Sequence, residues 1–204
     1  MNTPVIDYYL APQSPWTFLG HARFAALAQA AGAVVRVKPV DLARVFSLSG
    51  GLPLGQRAPQ RQSYRLIELR RFSALLGIPL NLAPRHFPVA GDAGARLIIA
   101  GEAAHGAGVA LALTHALGRA VWQEERDIAA PATLIDLADD LGLDGARLFA
   151  ESEGDAMTAA YLRHTEDALR DEVFGAPTYV LAGERFWGQD RLDLLERALA
   201  GPAR

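Results

Sequence analysis

The chain has no cysteine among its 204 residues. Disulfides, thiolate nucleophiles and thiolate–zinc sites are therefore excluded, and any thiol chemistry must use a thiol brought in by a ligand. The 20 basic and 23 acidic residues are well mixed, so we expect no broad basic face and no nucleic-acid partner. The five histidines lack zinc-motif spacing such as H-E-x-x-H, which predicts no metal site. We expect most of them to lie at the surface or to be locally satisfied.

Long apolar runs are also absent. No run approaches the roughly 18 residues that a membrane-spanning helix needs. Residues 1–4 lack the basic and apolar blocks of a signal peptide. We therefore expect a cytoplasmic protein with no membrane partner. Half of the residues are apolar, which is enough for a full core in one domain, or in one domain with an insertion.

The first 40 residues predict a parallel β-α-β unit. Residues 5–10 are aromatic and branched, as in a largely buried strand. Ser14 is a typical N-cap and Pro15 a typical first residue of a helix, which we predict to run to about residue 31. Residues 34–39 alternate as a second strand, and a helix between two strands favours parallel pairing.

The middle of the chain is predicted to be helical. Residues 47–62 are rich in Ser, Gly, Pro and Gln and predict a long ordered loop or a partly mobile flap. A helix then follows from about residue 63 to Gly77. Further predicted helices cover residues 92–104, 108–123, 131–141, 145–152 and 156–172.

Strand patterns return at the end of the chain. Residues 178–181 and 184–187 predict an antiparallel hairpin, and a last helix over about 191–200 has Asp190 as a candidate N-cap. This order predicts an α/β protein, a thioredoxin-like domain with a large α-helical insertion. We place the thioredoxin-like domain at residues 1–40 and 173–204. Residues 41–172 form the predicted loop plus α-helical insertion domain.

Ser14 is the strongest candidate for chemistry. Backbone N–H groups and the helix dipole favour an anion at a helix N-terminus. A hydroxyl at that position can donate to a ligand sulfur and stabilise its thiolate form. The alternative is that Ser14 serves only as an N-cap.

Motifs along nearly the whole chain resemble those of one family. They include Ser-Pro-Trp at 14–16, Arg-Gln-Ser-Tyr at 61–64, Gly-Ile-Pro-Leu at 77–80, Phe-Pro at 87–88, Trp122, Arg-Asp-Ile at 126–128, Phe-Gly-Ala-Pro-Thr at 174–178 and Trp-Gly-Gln-Asp-Arg-Leu-Asp at 187–193. In these motifs the chain resembles the glutathione-dependent 2-hydroxychromene-2-carboxylate isomerases. These are relatives of the kappa-class glutathione transferases within the wider DsbA-like group.

The resemblance implies a glutathione site. Ser14 would contact the glutathione sulfur, and Ala176 would pair its backbone N–H and C=O with the cysteinyl part of the ligand. Pro177 would be cis; the alternative is a plain turn before a strand. Gln189 and Asp190 would hold the γ-glutamyl end, unless Asp190 is only an N-cap.

Arg61 stands where the resembled proteins tend to carry a lysine that reaches a ligand carboxylate; a solvated surface arginine is the alternative. Leu52 departs from the family, since relatives often have asparagine there. Lys38 and Trp16 are candidates to face the acceptor substrate, although packing at a strand end explains them equally well.

The implied function is that of a glutathione-dependent isomerase acting on an aromatic 2-hydroxychromene-2-carboxylate-like substrate, with glutathione as cofactor and Ser14 stabilising its thiolate. The expected partner is a small aromatic electrophile, and the resemblance also implies a homodimer. Two alternatives stay open: a kappa-like glutathione transferase, and a non-catalytic thioredoxin-like module that binds a peptide or a partner protein. Disulfide exchange is excluded because it requires cysteines in the protein.

Overall fold

A computed structural model describes residues 3–201. The chain begins with strand β1 (Val5–Leu10), helix α1 (Pro15–Ala30) and strand β2 (Val34–Pro39). β1 and β2 pair in parallel, from Val5 opposite Val34 to Leu10 opposite Pro39. The predicted β-α-β unit is therefore confirmed.

The sheet is completed by the last part of the chain. Strands β3 (Thr178–Leu181) and β4 (Glu184–Trp187) form the predicted antiparallel hairpin, and the strand order is β2-β1-β3-β4. Ala182 and Gly183 both have positive φ at the turn, 50° and 85°, as a two-residue hairpin that follows the strand twist requires. β3 also pairs antiparallel with β1, which places residues distant in sequence side by side.

Helices make up most of the chain between β2 and β3. They are α2 (Leu42–Ser49), α3 (Pro59–Leu76), α4 (Asp92–His105), α5 (Ala107–Trp122), α6 (Pro131–Asp139), α7 (Gly145–Ser152) and α8 (Asp155–Arg170), and α9 (Leu192–Leu199) follows the hairpin. The bounds predicted for α4 to α9 are correct to within a few residues. The order confirms the α/β thioredoxin-like plan with its large α-helical insertion.

The loop predicted for residues 47–62 is wrong in part, because helices enter it from both ends. α2 reaches into it, starting from the carboxylate of Asp41, which accepts the backbone N–H groups of Ala43 and Arg44 at 2.9 and 3.1 Å. A short 3-10 helix covers Leu54–Gln56, and α3 already begins at Pro59. Proline at a first helical position needs no hydrogen-bond acceptor, so it starts the helix earlier than the apolar pattern indicated.

The core is continuous from the sheet into the helices. One buried cluster joins Tyr8 of β1 and Phe24 of α1 to Leu117 and Trp122 of α5. α1 and α5 approach closely at Gly118, where an added Cβ would lie 2.8 Å from the Phe18 ring. The close contact positions the N-terminal end of α1 against the helical part of the chain.

The division into residues 1–40 with 173–204 and residues 41–172 stays a prediction, and its outermost residues, 1–2 and 202–204, lie outside the described residues. Over residues 3–201, no helix combines the length and the apolar character needed to cross a membrane.

Candidate active site

A cavity of about 860 Å³ lies where α1, α3 and the segments before β3 and after β4 meet. It brings together five of the six residues predicted for the site from the sequence. They are Ser14, Arg61, Ala176, Gln189 and Asp190. The sixth, Pro177, directly follows Ala176 in the chain. Stretches of chain around residues 14, 61 and 176–190, the last more than a hundred residues beyond the second, therefore contribute to one cavity.

Ser14 is the N-cap of α1 and only 8% exposed. Its Oγ accepts the backbone N–H of Thr17 at 3.2 Å, as predicted. A serine hydroxyl has one proton to donate besides its acceptor lone pairs. That proton has no acceptor among residues 3–201. Ser14 can therefore cap the helix and still donate a hydrogen bond into the cavity.

The peptide bond between Ala176 and Pro177 is cis, which confirms that prediction. The carbonyl of Pro177 accepts the N–H of Gly188 at 2.9 Å, and Thr178 Oγ1 donates to the carbonyl of Gly175 at 2.7 Å. These bonds hold the turn on either side of Ala176. In the described part of the chain, the N–H and C=O of Ala176 themselves have no recorded hydrogen bond. They are available to a peptide-like ligand in the cavity.

Gln189 and Asp190 lie in a 3-10 helix, Gln189–Arg191, that precedes α9. Gln189 is 2% exposed, and its Oε1 accepts from Arg23 Nη1 at 3.3 Å. Its Nε2 is buried and has no partner among residues 3–201. The Asp190 carboxylate accepts from Arg191 at 2.6 Å. α9 takes Arg191 as its N-cap residue, without a side-chain cap, so the alternative role of Asp190 as the N-cap of α9 is wrong.

Arg61 lies in the first turn of α3, exposed at the cavity wall. Leu52 is outside the cavity lining and 49% exposed. Only its backbone is engaged, since its carbonyl accepts from Arg57 Nε at 2.8 Å. The departure from the family at Leu52 therefore changes no side chain that lines the cavity.

Aromatic side chains form a large part of the wall. The rings of Trp16 and Phe72 meet edge to face at 5.9 Å, and those of Phe174 and Trp187 at 4.7 Å. Phe87 also lines the cavity and stands 4.7 Å from the buried Trp122 ring. Paired aromatic faces of this kind suit a flat, conjugated ligand.

Lys38 does not line this cavity, and the alternative that it packs at a strand end is the one the structure supports. Its ammonium lies 3.3 Å from an Asp7 oxygen and 3.1 Å from an Asp167 oxygen. The two carboxylates pull it to the interface between the sheet and α8. Trp16, by contrast, does line the cavity.

His21 is a buried histidine of α1, only 3% exposed, and it is locally satisfied, as expected. Its Nδ1 is 3.2 Å from the hydroxyl of Tyr8. Burial, and secondarily the charge of His115, lower the pKa of His21 to about 4. The buried side of α1 faces the sheet and encloses the His21 ring there. The helical pattern of the sequence does not by itself indicate this burial.

Two cavity features were not singled out from the sequence: the cis Phe87–Pro88 peptide bond and the side chain of Arg65. A usable signal for Arg65 was present. Arg57, Arg61 and Arg65 follow one another at intervals of four, the spacing that places side chains on one helical face.

Comparisons with known proteins agree with this fold. The DsbA-like thioredoxin domain matches residues 5–200. A 2-hydroxychromene-2-carboxylate isomerase from Pseudomonas putida is 32% identical over 199 residues, 96% of this chain and 94% of the relative. The solved structure of a 2-hydroxychromene-2-carboxylate isomerase superposes with a TM-score of 0.76 at 29% identity, covering 96% of this chain and 94% of that one. The cytosolic disulfide reductase DsbM from Pseudomonas aeruginosa shares the fold, with a TM-score of 0.70 at 23% identity over 96% of this chain and 98% of that one.

Proposed function

The chain belongs to the DsbA-like thioredoxin-domain family, within the group of 2-hydroxychromene-2-carboxylate isomerases, and from this premise we propose that it is a glutathione-dependent isomerase of an aromatic 2-hydroxychromene-2-carboxylate-like substrate. One observation carries the proposal. The free hydroxyl proton of Ser14 and the unpaired backbone of Ala176 line the same cavity in a chain without cysteine.

The polar groups of the cavity fit glutathione. The N–H and C=O of Ala176 match the cysteinyl backbone of a γ-glutamyl tripeptide. The buried Nε2 of Gln189 lacks a partner in the described part of the chain, and a ligand oxygen would satisfy it. Asp190 suits the α-ammonium of the γ-glutamyl end, and Arg61 suits a carboxylate. Together these groups complement both carboxylates and the ammonium of the tripeptide.

Glutathione, when bound, supplies the thiolate that adds reversibly to a conjugated carbon of the substrate and leaves again unchanged. The protein's part is to favour that thiolate. The Ser14 hydroxyl donates to the sulfur, and the N-terminus of the 16-residue helix α1 adds its dipole. The aromatic faces of Trp16 and Phe72 orient the substrate ring and exclude water from the reacting atoms.

The direct test combines calorimetry and turnover. Reduced glutathione is titrated into the protein, and the absorbance of 2-hydroxychromene-2-carboxylate is then followed with and without glutathione. Stoichiometric binding and turnover that requires glutathione are expected. Binding without turnover supports the transferase alternative. If glutathione does not bind and the substrate is not turned over, the proposal is refuted and the binding-module alternative is favoured. Cytoplasmic localisation and the homodimeric state stay predictions, the latter to be checked by light scattering.

A further inference from the structure

Three arginines give the cavity a positive charge, which favours anionic ligands. Arg57, Arg61 and Arg65 all line it, on and just before the same face of α3. Within residues 3–201 none of the three forms an ion pair with a carboxylate. The two carboxylates that line the cavity, Glu68 and Asp190, are paired with arginines other than these three. The three cationic charges are thus not neutralised by the described part of the chain.

Arg65 differs from Arg61 in being half-buried, and from Arg57 in that Arg57 donates its Nε hydrogen bond to a backbone carbonyl. Its guanidinium carbon lies 5.4 Å from the ring centre of Phe87 and 5.9 Å from that of Trp122. Such stacking holds the planar group in one orientation on an apolar surface. The side chain is half-buried. Among the described residues, none of its nitrogens is both fully buried and without a hydrogen-bond partner. Because Arg65 lines the cavity, its N–H groups are accessible to a ligand there.

The same setting leaves the charge poorly compensated. Burial, and secondarily the charge of Arg57, lower the pKa of Arg65 to about 10. The group is still protonated at neutral pH, so it remains a cation that has lost part of its hydration without gaining a counter-ion among residues 3–201. A desolvated cation of this kind favours an anionic ligand, and a guanidinium fork matches a carboxylate in two parallel hydrogen bonds.

We propose that Arg65 binds the carboxylate of the aromatic substrate and thereby selects carboxylate-bearing substrates. The assignment of that carboxylate to the second substrate rests on the proposed function. Glutathione and the substrate together bring three carboxylates, and the cavity offers three guanidinium groups that lack a carboxylate partner among residues 3–201. Arg65 stacks on Phe87, an aromatic ring of the wall. Arg57 also stacks on a wall ring, that of Phe46, but its Nε already donates to the Leu52 carbonyl, whereas Arg65 makes no hydrogen bond to residues 3–201.

Arg61 is separated from Arg65 by about one helical turn, or ~6 Å along the axis. It is exposed, whereas Arg65 packs against Phe87 and Trp122. A tripeptide carboxylate at Arg61 leaves Arg65 for a different anion. Arg65 is thus a specificity-determining residue distinct from those assigned to glutathione.

The test compares an aromatic carboxylate with its neutral amide. Cinnamate and cinnamide are titrated calorimetrically into the full chain, into Arg65→Met and into Arg65→Lys. The matched control is Arg70→Met, on the same helix but exposed and outside the cavity lining. We expect wild-type protein to prefer cinnamate. In Arg65→Met the cinnamate Kd should rise about tenfold to a hundredfold, as loss of a charge-assisted contact predicts. Arg65→Lys should recover part of that loss, and cinnamide binding and the Arg70→Met control should not change.

Three outcomes would overturn the inference. The first is that wild-type protein does not discriminate cinnamate from cinnamide, a comparison that needs no variant to fold. The second is that a folded Arg65→Met, verified by circular dichroism, keeps the wild-type preference. The third is that glutathione affinity falls about tenfold in Arg65→Met, which would assign Arg65 to glutathione. If wild-type protein shows no isomerase activity yet prefers cinnamate through Arg65, the proposed function fails and the carboxylate site stands.

Discussion

Replacing Ser14 by alanine separates a chemical role of the hydroxyl from a structural one. The substitution removes the 3.2 Å hydrogen bond from the Thr17 N–H to Ser14 Oγ. Loss of a serine N-cap costs about 1 kcal/mol, which corresponds to roughly 2–4 °C in Tm for a chain of this size. The variant should therefore remain folded. Glutathione should still bind, because most of the contacts proposed for it come from Ala176, Gln189 and Asp190.

The larger effect should fall on the bound thiol. A free cysteine thiol titrates near ~8.5, and a hydrogen bond to its charged form contributes about 1.5–3 kcal/mol. Its removal should raise the pKa of the bound thiol by about one to two units. At neutral pH the rate should fall about tenfold to a hundredfold, because less of the thiol is ionised and the thiolate is less stabilised. Ultraviolet absorbance of the thiolate, followed against pH in both proteins with glutathione bound, measures the shift directly.

Two controls isolate the capping effect. Ser14→Gly also lacks the hydroxyl, but a glycine cap costs only a few tenths of a kcal/mol, so the thiol pKa should rise as in Ser14→Ala with less loss of stability. Asp144→Ala removes the cap of α7, where Oδ1 accepts the Arg147 N–H at 3.0 Å, outside the cavity. It should lower stability without moving the thiol titration. An unaltered thiolate titration curve in Ser14→Ala would refute the chemical role of Ser14.

Three further predictions concern stability. Lys38→Met removes the cation between Asp7 and Asp167, which keep Arg36 and Arg170 as partners, and should reduce the free energy of unfolding by about 1–3 kcal/mol in urea titrations. Glutathione affinity should stay constant; a loss of affinity with intact stability would contradict the assignment. Burial lowers the pKa of His21 and of His164 to about 4, below the ~6.5 of an unfolded chain. The stability they contribute is therefore complete above pH ~6.5 and is lost as the pH falls toward 4, by about 1.4 kcal/mol per pH unit for each. A urea midpoint that does not change over this window would contradict the prediction. Gly20→Ala would place a Cβ 2.7 Å from the Cβ of Gln189 and should lower the free energy of unfolding by about 1–3 kcal/mol and weaken glutathione binding. In the control Gly108→Ala the added Cβ meets nothing within 4 Å, so that variant should be neutral or slightly more stable. Equal calorimetric profiles for the two variants would refute the packing argument.

Local patterns in the sequence were sufficient for most elements. Ser14 with Pro15 marks the start of α1, and the pair Ala182-Gly183 marks the hairpin turn; both were predicted correctly because capping and turn chemistry act over a few residues. The early start of α3 was missed, since a proline-rich loop composition concealed a proline in the first turn of a helix. The sequence motifs predict six site residues, and five of them line one cavity.

What the sequence determined by itself was therefore the order of the elements, the cysteine-free chemistry and the motifs that line the cavity. Tertiary structure decided which charges have partners. Lys38 is held between two aspartates from β1 and α8, while Arg65 stacks on aromatic rings and is left without a carboxylate partner among residues 3–201. Both are basic side chains, and their difference depends on residues tens of positions away in the chain. Pairing and desolvation are set by spatial neighbours, and only the folded chain brings those neighbours within range.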